Sequence, residues 1–339
     1  FSFLDLFIEN LNKNITGQEV ILSQHKHSSV CIQWLIENTT DTELIRNLAQ
    51  RINVNTINLD FFLSQSSSYV LQALTEATLK ILSRDSTLKP ELQKHTKWSS
   101  HWIKELGKYV IVNMDQLIDD SNGSQMMVTT LESLGGIRVG RNWSRKTMGF
   151  GMKTSINTEI EKDVIIKELP SPFKHLLKHF TKTLILDKNE RELKDLILNK
   201  GTSLIQYLLF VLKVRHNDLC QIVVKRLVEI IFHDEESMFS ITTSSVSAYL
   251  VETVVLVSND RRLAKLWNRH LKGNLKTMWK HDIANFIVQR LIDATQQEQL
   301  VRRIYLLATN VITLLVQSNY NLFQFNLVYF NFQFGFEFS

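Results

Sequence analysis

Two histidines have the spacing of a metal site. His175 and His179 are four residues apart, so on a helix both imidazoles would face the same side. A zinc site built on such a pair also needs a Glu beside the first His and a third ligand, and the sequence offers neither. We therefore predict no metal and no other cofactor. The two cysteines, Cys31 and Cys220, lie in no paired-cysteine motif, which favours free thiols in a reducing compartment.

Motifs that carry catalysis are missing as well. The sequence contains no GxxxxGK[ST], GxGxxG or GxSxG, which are the usual phosphate loops and nucleophile turn. The segment 149–151 has two glycines without the rest of a phosphate loop, and Asp119-Asp120 stands beside the turn Asn122-Gly123, where a helix is expected to end. We therefore predict that the chain is not an enzyme.

A different polar pattern occurs six times. Each copy has a small residue, a second residue that is often polar, three further residues and, at the sixth position, usually Gln or Glu, within an apolar run. We call this the repeat motif and number its positions from the small residue. The six copies begin at Ser28, Ser67, Gly123, Gly201, Ser247 and Ala284. Because the second and sixth positions are four residues apart, they are neighbours on one face of a helix.

The composition favours helices as the elements that carry this motif. The 339 residues include only 3 Pro and 11 Gly, so few turns are made and long helices can run uninterrupted. Hydrophobic residues make up 44% and charged residues 22%, which is enough for a substantial core and argues against wholesale disorder.

The spacing of the motif predicts a repeat architecture. Successive second positions lie 39, 56, 78, 46 and 37 residues apart, and a period near 38 is typical of α-solenoids, in which each unit is buried only by its neighbours. The gap of 56 leaves room for an insertion around Lys89-Pro90. The gap of 78 can hold a basic loop and a degenerate repeat, whose helix would open near Pro172. We predict one solenoid over 1–317, with an insertion over about 138–160.

Positive charge is concentrated in two segments, although the net charge is only +5. The first is the insertion, which is rich in Gly, Ser, Thr and Asn. The second is a basic stripe with the helical spacing i, i+4, i+8. Either could neutralise phosphates, or could merely be a solvated surface. The phosphate-contact candidates are Arg138, Arg141, Arg145 and Lys146 in the insertion, and Arg261, Lys265 and Arg269 in the basic stripe.

The two ends of the chain differ from the rest. The first twenty residues include charged side chains at Asp5, Glu9 and Lys13, and no run of 18 apolar residues occurs, so we predict neither a signal peptide nor a membrane anchor. Residues 318–339 form a Phe/Asn/Gln tract unlike the rest, which we expect to be disordered or artefactual.

The motif copies resemble the repeats of the Puf (Pumilio) family. The segment "DIANFIVQRLIDA" at 282–294 is most similar to that family's repeat core. Earlier in the chain, "SSSYVLQALTEATLKIL" at 66–82 precedes "GSQMMVTTLESLGGIRV" at 123–139, which is the order seen in the family's nucleolar, ribosome-biogenesis branch. The resemblance spans about 1–295. It implies an all-α fold, a right-handed α-solenoid of Pumilio-like helical repeats curved into a superhelix, whose second helix in each repeat lines a concave RNA-binding surface.

The resemblance also assigns roles within the motif. Second and sixth positions would grip a base edge, and the third would stack on a base. It implies a uracil preference for the last copy and an adenine preference for the second, whereas Val128 and Ala248 are not expected to read bases, so recognition would mix sequence and structure. The candidate RNA-binding residues are Ser29, Gln33, Ser68, Tyr69, Gln72, Ser124, Gln125, Thr202, Ser203, Gln206, Tyr249, Glu252, Asn285, Phe286 and Gln289.

The function that the resemblance implies is binding of precursor ribosomal RNA, single-stranded or partly structured, in small-subunit ribosome biogenesis. The expected partners are this RNA and proteins of the pre-ribosomal particle, with no membrane; the expected location is the nucleolus of the nucleus, and the expected state is a monomer. Two alternatives stay open: a protein-interaction scaffold of the HEAT or armadillo kind, and a Puf-type regulator of messenger RNA.

Overall fold

The computed structural model describes residues 3–83, 90–138 and 165–294, and this part of the chain is built from helices. The helices are α1 Phe3–Ile15, α2 Glu19–Gln24, α3 Lys26–Asn38, α4 Thr42–Arg51, α5 Leu59–Leu63, α6 Gln65–Ser83, α7 Pro90–Val112, α8 Met114–Ile118, α9 Ser121–Gly135, α10 Ser171–Thr181, α11 Glu190–Leu198, α12 Thr202–Arg215, α13 Asn217–Ile231, α14 Glu235–Thr243, α15 Ser247–Val257, α16 Asp260–Leu266, α17 Lys272–Lys280 and α18 Asn285–Ala294. Two π-helical segments, Lys182–Leu186 and Trp267–Leu271, follow α10 and α16.

Every third helix carries one copy of the repeat motif. These motif helices are α3, α6, α9, α12, α15 and α18, and a shorter helix precedes each of them. The repeat is therefore a short helix, a motif helix and a further helix. Polar residues before the first turns fix where helices begin: the Asp120 carboxylate accepts from the backbone N–H groups of Asn122 and Gly123 at 2.8 and 2.9 Å, and Asn189 and Glu192 form a capping box.

The chain divides into two compact units, one of residues up to Arg226 and one from Leu227 onwards within the described residues. In the N-terminal unit, α3 packs on α6, α6 on α9 and α9 on α12. A second layer runs beside the first, since α4 packs on α7 and α7 on α10. Fully buried aromatic rings, among them Phe61, Phe173 and Phe180, fill the space between helices, and the indole N–H of Trp102 donates to the Ala49 carbonyl at 3.2 Å.

The C-terminal unit repeats the same packing. Helix α15 lies against α18, α14 against α15, and α17 against α18. Its core includes Trp267, Leu250, Val254 and Ile287, all buried. Within the described ranges no single helix has the length and apolarity to cross a membrane; only α14 and α15 together reach that criterion, and they are bent by 99° at their junction.

The prediction of a degenerate repeat between the third and fourth motif copies is wrong, although the predicted helix is present. The segment opening at Pro172 forms α10, but α10 packs on α7 and α9, and α9 packs directly on α12. Helix α10 is therefore the third helix of the repeat that contains α9. The gap of 78 residues arises because the insertion separates these two helices. Most of the insertion, the segment 84–89 and the tail 318–339 lie outside the described residues.

Candidate nucleic-acid interface

The third position of the repeat motif is exposed in all six motif helices. Three of these residues are aromatic: Tyr69 is 43% exposed, Tyr249 37% and Phe286 36%. The remaining three are Val30, Gln125 and Ser203, which are exposed as well. Rings at the same register of three motif helices offer flat surfaces to a ligand, because bases stack on exposed aromatic faces.

In four copies the side chain at the second position donates to a backbone carbonyl three to five residues earlier. The hydroxyl of Ser29 donates to the Lys26 carbonyl at 3.1 Å, and that of Ser68 to the Gln65 carbonyl at 3.0 Å. Thr202 donates to the Ile197 carbonyl at 2.6 Å, and the Asn285 amide N–H₂ donates to the carbonyls of His281 and Asp282 at 2.8 and 3.1 Å. These groups are oriented by the protein, and Ser29, Ser68 and Thr202 are buried.

The sixth position is more varied than the motif predicts. Gln33 is half-buried, and its amide donates to the Glu37 carboxylate at 2.8 Å. Gln72 is buried and Gln206 is half-buried. Ser124, which occupies a second position, is half-buried as well. Val128 and Ala248, which the sequence predicts not to read bases, are buried apolar side chains. The side chain of Gln289 lies outside the described residues.

Glu252 and Arg290 form an ion pair between two motif helices. The Glu252 carboxylate, on α15, accepts from the Arg290 guanidinium Nε, on α18, at 3.0 Å. Burial raises the pKa of Glu252, and the hydrogen bond and charge of Arg290 oppose that rise. Sequence reasoning selected Glu252 but missed Arg290, since nothing in the motif marks the seventh position.

In four copies the first position, to which the sequence pattern assigned no role, forms the corner between the motif helix and the short helix before it. The hydroxyls of Ser28, Ser67 and Ser247 donate to the carbonyls of Leu22, Phe61 and Ile241, each six residues earlier, at 2.7 to 2.8 Å. A Cβ at Gly123 would lie 2.4 Å from the Leu117 carbonyl oxygen, again six residues earlier. The small residue that opens all six copies was the signal, because only a small side chain fits this corner.

The basic candidates are only partly described. Arg138 is exposed and pairs with Glu76, so part of its charge is compensated; Arg141, Arg145 and Lys146 lie outside the described residues. Arg261 and Lys265 are exposed on α16. Arg269 is exposed too, but it lies in the π-helical segment, so the three residues do not form one stripe on a regular α-helix as predicted.

The histidine pair does not form a metal site with other residues of the described ranges. His175 and His179 are both exposed on α10, and among the described residues no three His, Cys, Asp or Glu side chains are placed so that they could hold a metal ion.

The regular order of these motif helices agrees with a family model. Residues 17–327 match the model described as the NOP9-like PUF repeat domain. The chain belongs to this Puf-repeat family. The expected all-α solenoid of Puf repeats is thereby confirmed.

Two proteins with sequences similar to this chain carry the same name. Nucleolar protein 9 of Homo sapiens is 25% identical over 316 residues, which cover 89% of this chain and 48% of the human protein. Nucleolar protein 9 of Mus musculus is 39% identical over 59 residues, which cover 17% of this chain and 9% of that protein. The chain thus spans about half the length of the human relative.

Solved structures with the same fold include two of APUM23. APUM23-GGAGUUGACGG superposes with a TM-score of 0.62 at 15% identity, and APUM23-GGAUUUGACGG with 0.64 at 14%. Each match covers 87% of this chain and 52% of the other chain. At this sequence identity the likeness establishes the fold alone.

Proposed function

We propose that this chain binds single-stranded or partly structured RNA through the third-position residues of its motif helices, and that it does no chemistry on the RNA. The observation that supports this most directly is the exposure of Tyr69, Tyr249 and Phe286 at equivalent positions of different motif helices. Stacking on an aromatic ring contributes about 1–3 kcal/mol per base. The ligand named with APUM23, a sequence of bases, agrees with this chemistry.

The RNA that we propose is precursor ribosomal RNA during small-subunit maturation, in the nucleolus and in contact with proteins of the pre-ribosomal particle. The human and mouse relatives named Nucleolar protein 9 support this location. Val30, Gln125 and Ser203 provide no ring, so we expect no stacked base at these three positions of the N-terminal unit. A protein of this kind would act by occupancy, since bound RNA is shielded from nucleases or held in a folding intermediate.

Binding by the exposed rings can be tested with purified protein. Each of Tyr69→Ala, Tyr249→Ala and Phe286→Ala should weaken binding to a single-stranded RNA roughly five-fold or more, as measured by fluorescence anisotropy. The matched control is Val112→Ala with Ile222→Ala, which removes exposed apolar side chains from α7 and α13, outside the motif helices. Equal losses in the ring variants and the control would contradict binding through these rings.

The identity of the RNA can be tested in cells by crosslinking the protein and sequencing the bound RNA. Reads should come mainly from precursor ribosomal RNA, and the variant without the three rings should lose them. Reads dominated by the 3′ regions of messenger RNA would contradict the ribosomal assignment and favour a messenger regulator.

A further inference from the structure

The fifth motif copy has only one candidate group for reading a base edge. Its second position is Ala248, a buried side chain that makes no hydrogen bond, and its sixth is Glu252. A carboxylate accepts two parallel N–H groups, and among the bases guanine presents such a pair on its Watson–Crick edge. By this chemistry alone the fifth repeat would select guanine.

That carboxylate is already engaged by the protein. The guanidinium of Arg290 lies 3.0 Å from Glu252 Oε2, and the two side chains are only 20% and 10% exposed. Arginine presents N–H donors in a planar fork, which is the same donor pattern that a guanine edge presents. Arg290 belongs to the next motif helix, one turn after Phe286, while Glu252 follows Tyr249 by three residues. The ion pair therefore lies on the helix faces that carry the two exposed rings.

We propose that Arg290 occupies the base-edge site of the fifth repeat in place of guanine, so that this repeat stacks a base on Tyr249 without selecting its identity. The proposal rests on RNA binding by the motif helices. It makes Arg290 a specificity-determining residue, because removing it would convert an unselective repeat into a guanine-selective one. If the ion pair served only to hold α15 against α18, removing Arg290 would leave the base preference unchanged.

The test is selection from a random RNA library with the full chain, at pH 8 because burial raises the pKa of Glu252. The wild type should show no guanine preference at the base adjacent to the one that responds to Asn285→Ser with Gln289→Glu. Arg290→Met should create a guanine preference there of roughly five- to 150-fold, the discrimination expected of one bidentate contact. Arg290→Met with Glu252→Gln should abolish it. Overall affinity is expected to fall with the lost charge, so the readout is preference and not affinity.

Two results would overturn the proposal. One is a wild-type preference for guanine at that base, which does not require Arg290→Met and so holds even if that variant does not fold. The other is a folded Arg290→Met that binds RNA with unchanged preference. Arg290→Lys, a point charge without the fork, should give an intermediate preference. A wild type that binds no RNA of the library would instead contradict the proposed function itself.

Discussion

The guanidinium of Arg215 donates to the Gly136 carbonyl at 3.0 Å, although the two residues are 79 positions apart. Further donations reach the carbonyls of Gly135 and Lys167, at 2.5 and 3.1 Å, and of Ile166. One side chain at the end of α12 thus holds the backbone on both sides of the insertion. Burial lowers the pKa of Arg215.

Removing that side chain should destabilise the fold. Arg215→Met removes the guanidinium donor from four carbonyls, of which only that of Gly136 is known to keep backbone donors, the N–H groups of Ile165 and Ile166. Hydrogen bonds to charged groups contribute about 1.5–3 kcal/mol each, and such contributions are not additive. We expect the free energy of unfolding, from urea titration, to fall by about 2–4 kcal/mol. Arg191→Met, on the exposed surface of α11, is the control and should change it by less than about 0.5 kcal/mol. Similar losses in both variants would mean that the contact contributes little.

Two glycines should respond to alanine in opposite directions. A Cβ at Gly123 would lie 2.4 Å from the Leu117 oxygen and 2.9 Å from its Cα, and backbone cannot move aside as a flexible side chain can, so Gly123→Ala should cost about 2 kcal/mol or more. Gly273, in α17, has nothing within 4 Å of its Cβ position. Gly273→Ala should raise stability by about 0.4–1 kcal/mol because it reduces the freedom of the unfolded chain. Thermal melting of the two variants measures both; equal shifts would contradict the corner geometry.

The motif helices were predictable because their pattern is local. A small residue, apolar pairs and a polar sixth position recur at nearly regular spacing, and they predicted six helices. Of the three positions expected to face RNA, the third is exposed in all six copies, whereas the second is buried in four. Contacts that join distant parts of the chain leave no such pattern. Arg215 and Arg290 act on partners 79 and 38 positions away, and α10 could be assigned to its repeat only from its packing on α7 and α9.

Stability should depend on pH through His270. Burial, and to a smaller extent Arg269, lowers the pKa of this imidazole from 6.5, and its ring lies 4.9 Å from that of Phe232. The unfolded chain therefore takes up a proton more readily than the folded one. The stability that depends on a neutral His270 is fully present above pH 6.5 and is lost as the pH falls below that value. The melting temperature should drop less between pH 7.5 and 5.5 in His270→Gln than in the wild type. An equal drop in both would contradict this.

Salt dependence should show whether the basic stripe contacts phosphates. Replacing Arg261, Lys265 and Arg269 by Ala should lower RNA affinity for all sequences alike and flatten the plot of log affinity against log salt, by roughly 0.7 per lost contact on single strands. The same measurement on Arg138, Arg141, Arg145 and Lys146 tests the insertion, where the Arg138 contribution should be reduced because Glu76 pairs with it. An unchanged slope would identify either set as solvated surface.

The sixth motif copy separates a stacking ring from a core residue. Phe286 is 36% exposed, whereas Ile287 and Val288 beside it are buried, so Phe286→Ala should leave the melting temperature nearly unchanged and lower RNA binding by about 1–3 kcal/mol. Its control is Ile287→Ala, which should lower the melting temperature, because truncating a buried aliphatic side chain to Ala costs about 2–5 kcal/mol of stability. Calorimetry and anisotropy on the same samples measure stability and affinity separately. If Phe286→Ala instead melted early while its folded fraction bound RNA as the wild type does, the ring would belong to the core and this repeat would not stack a base.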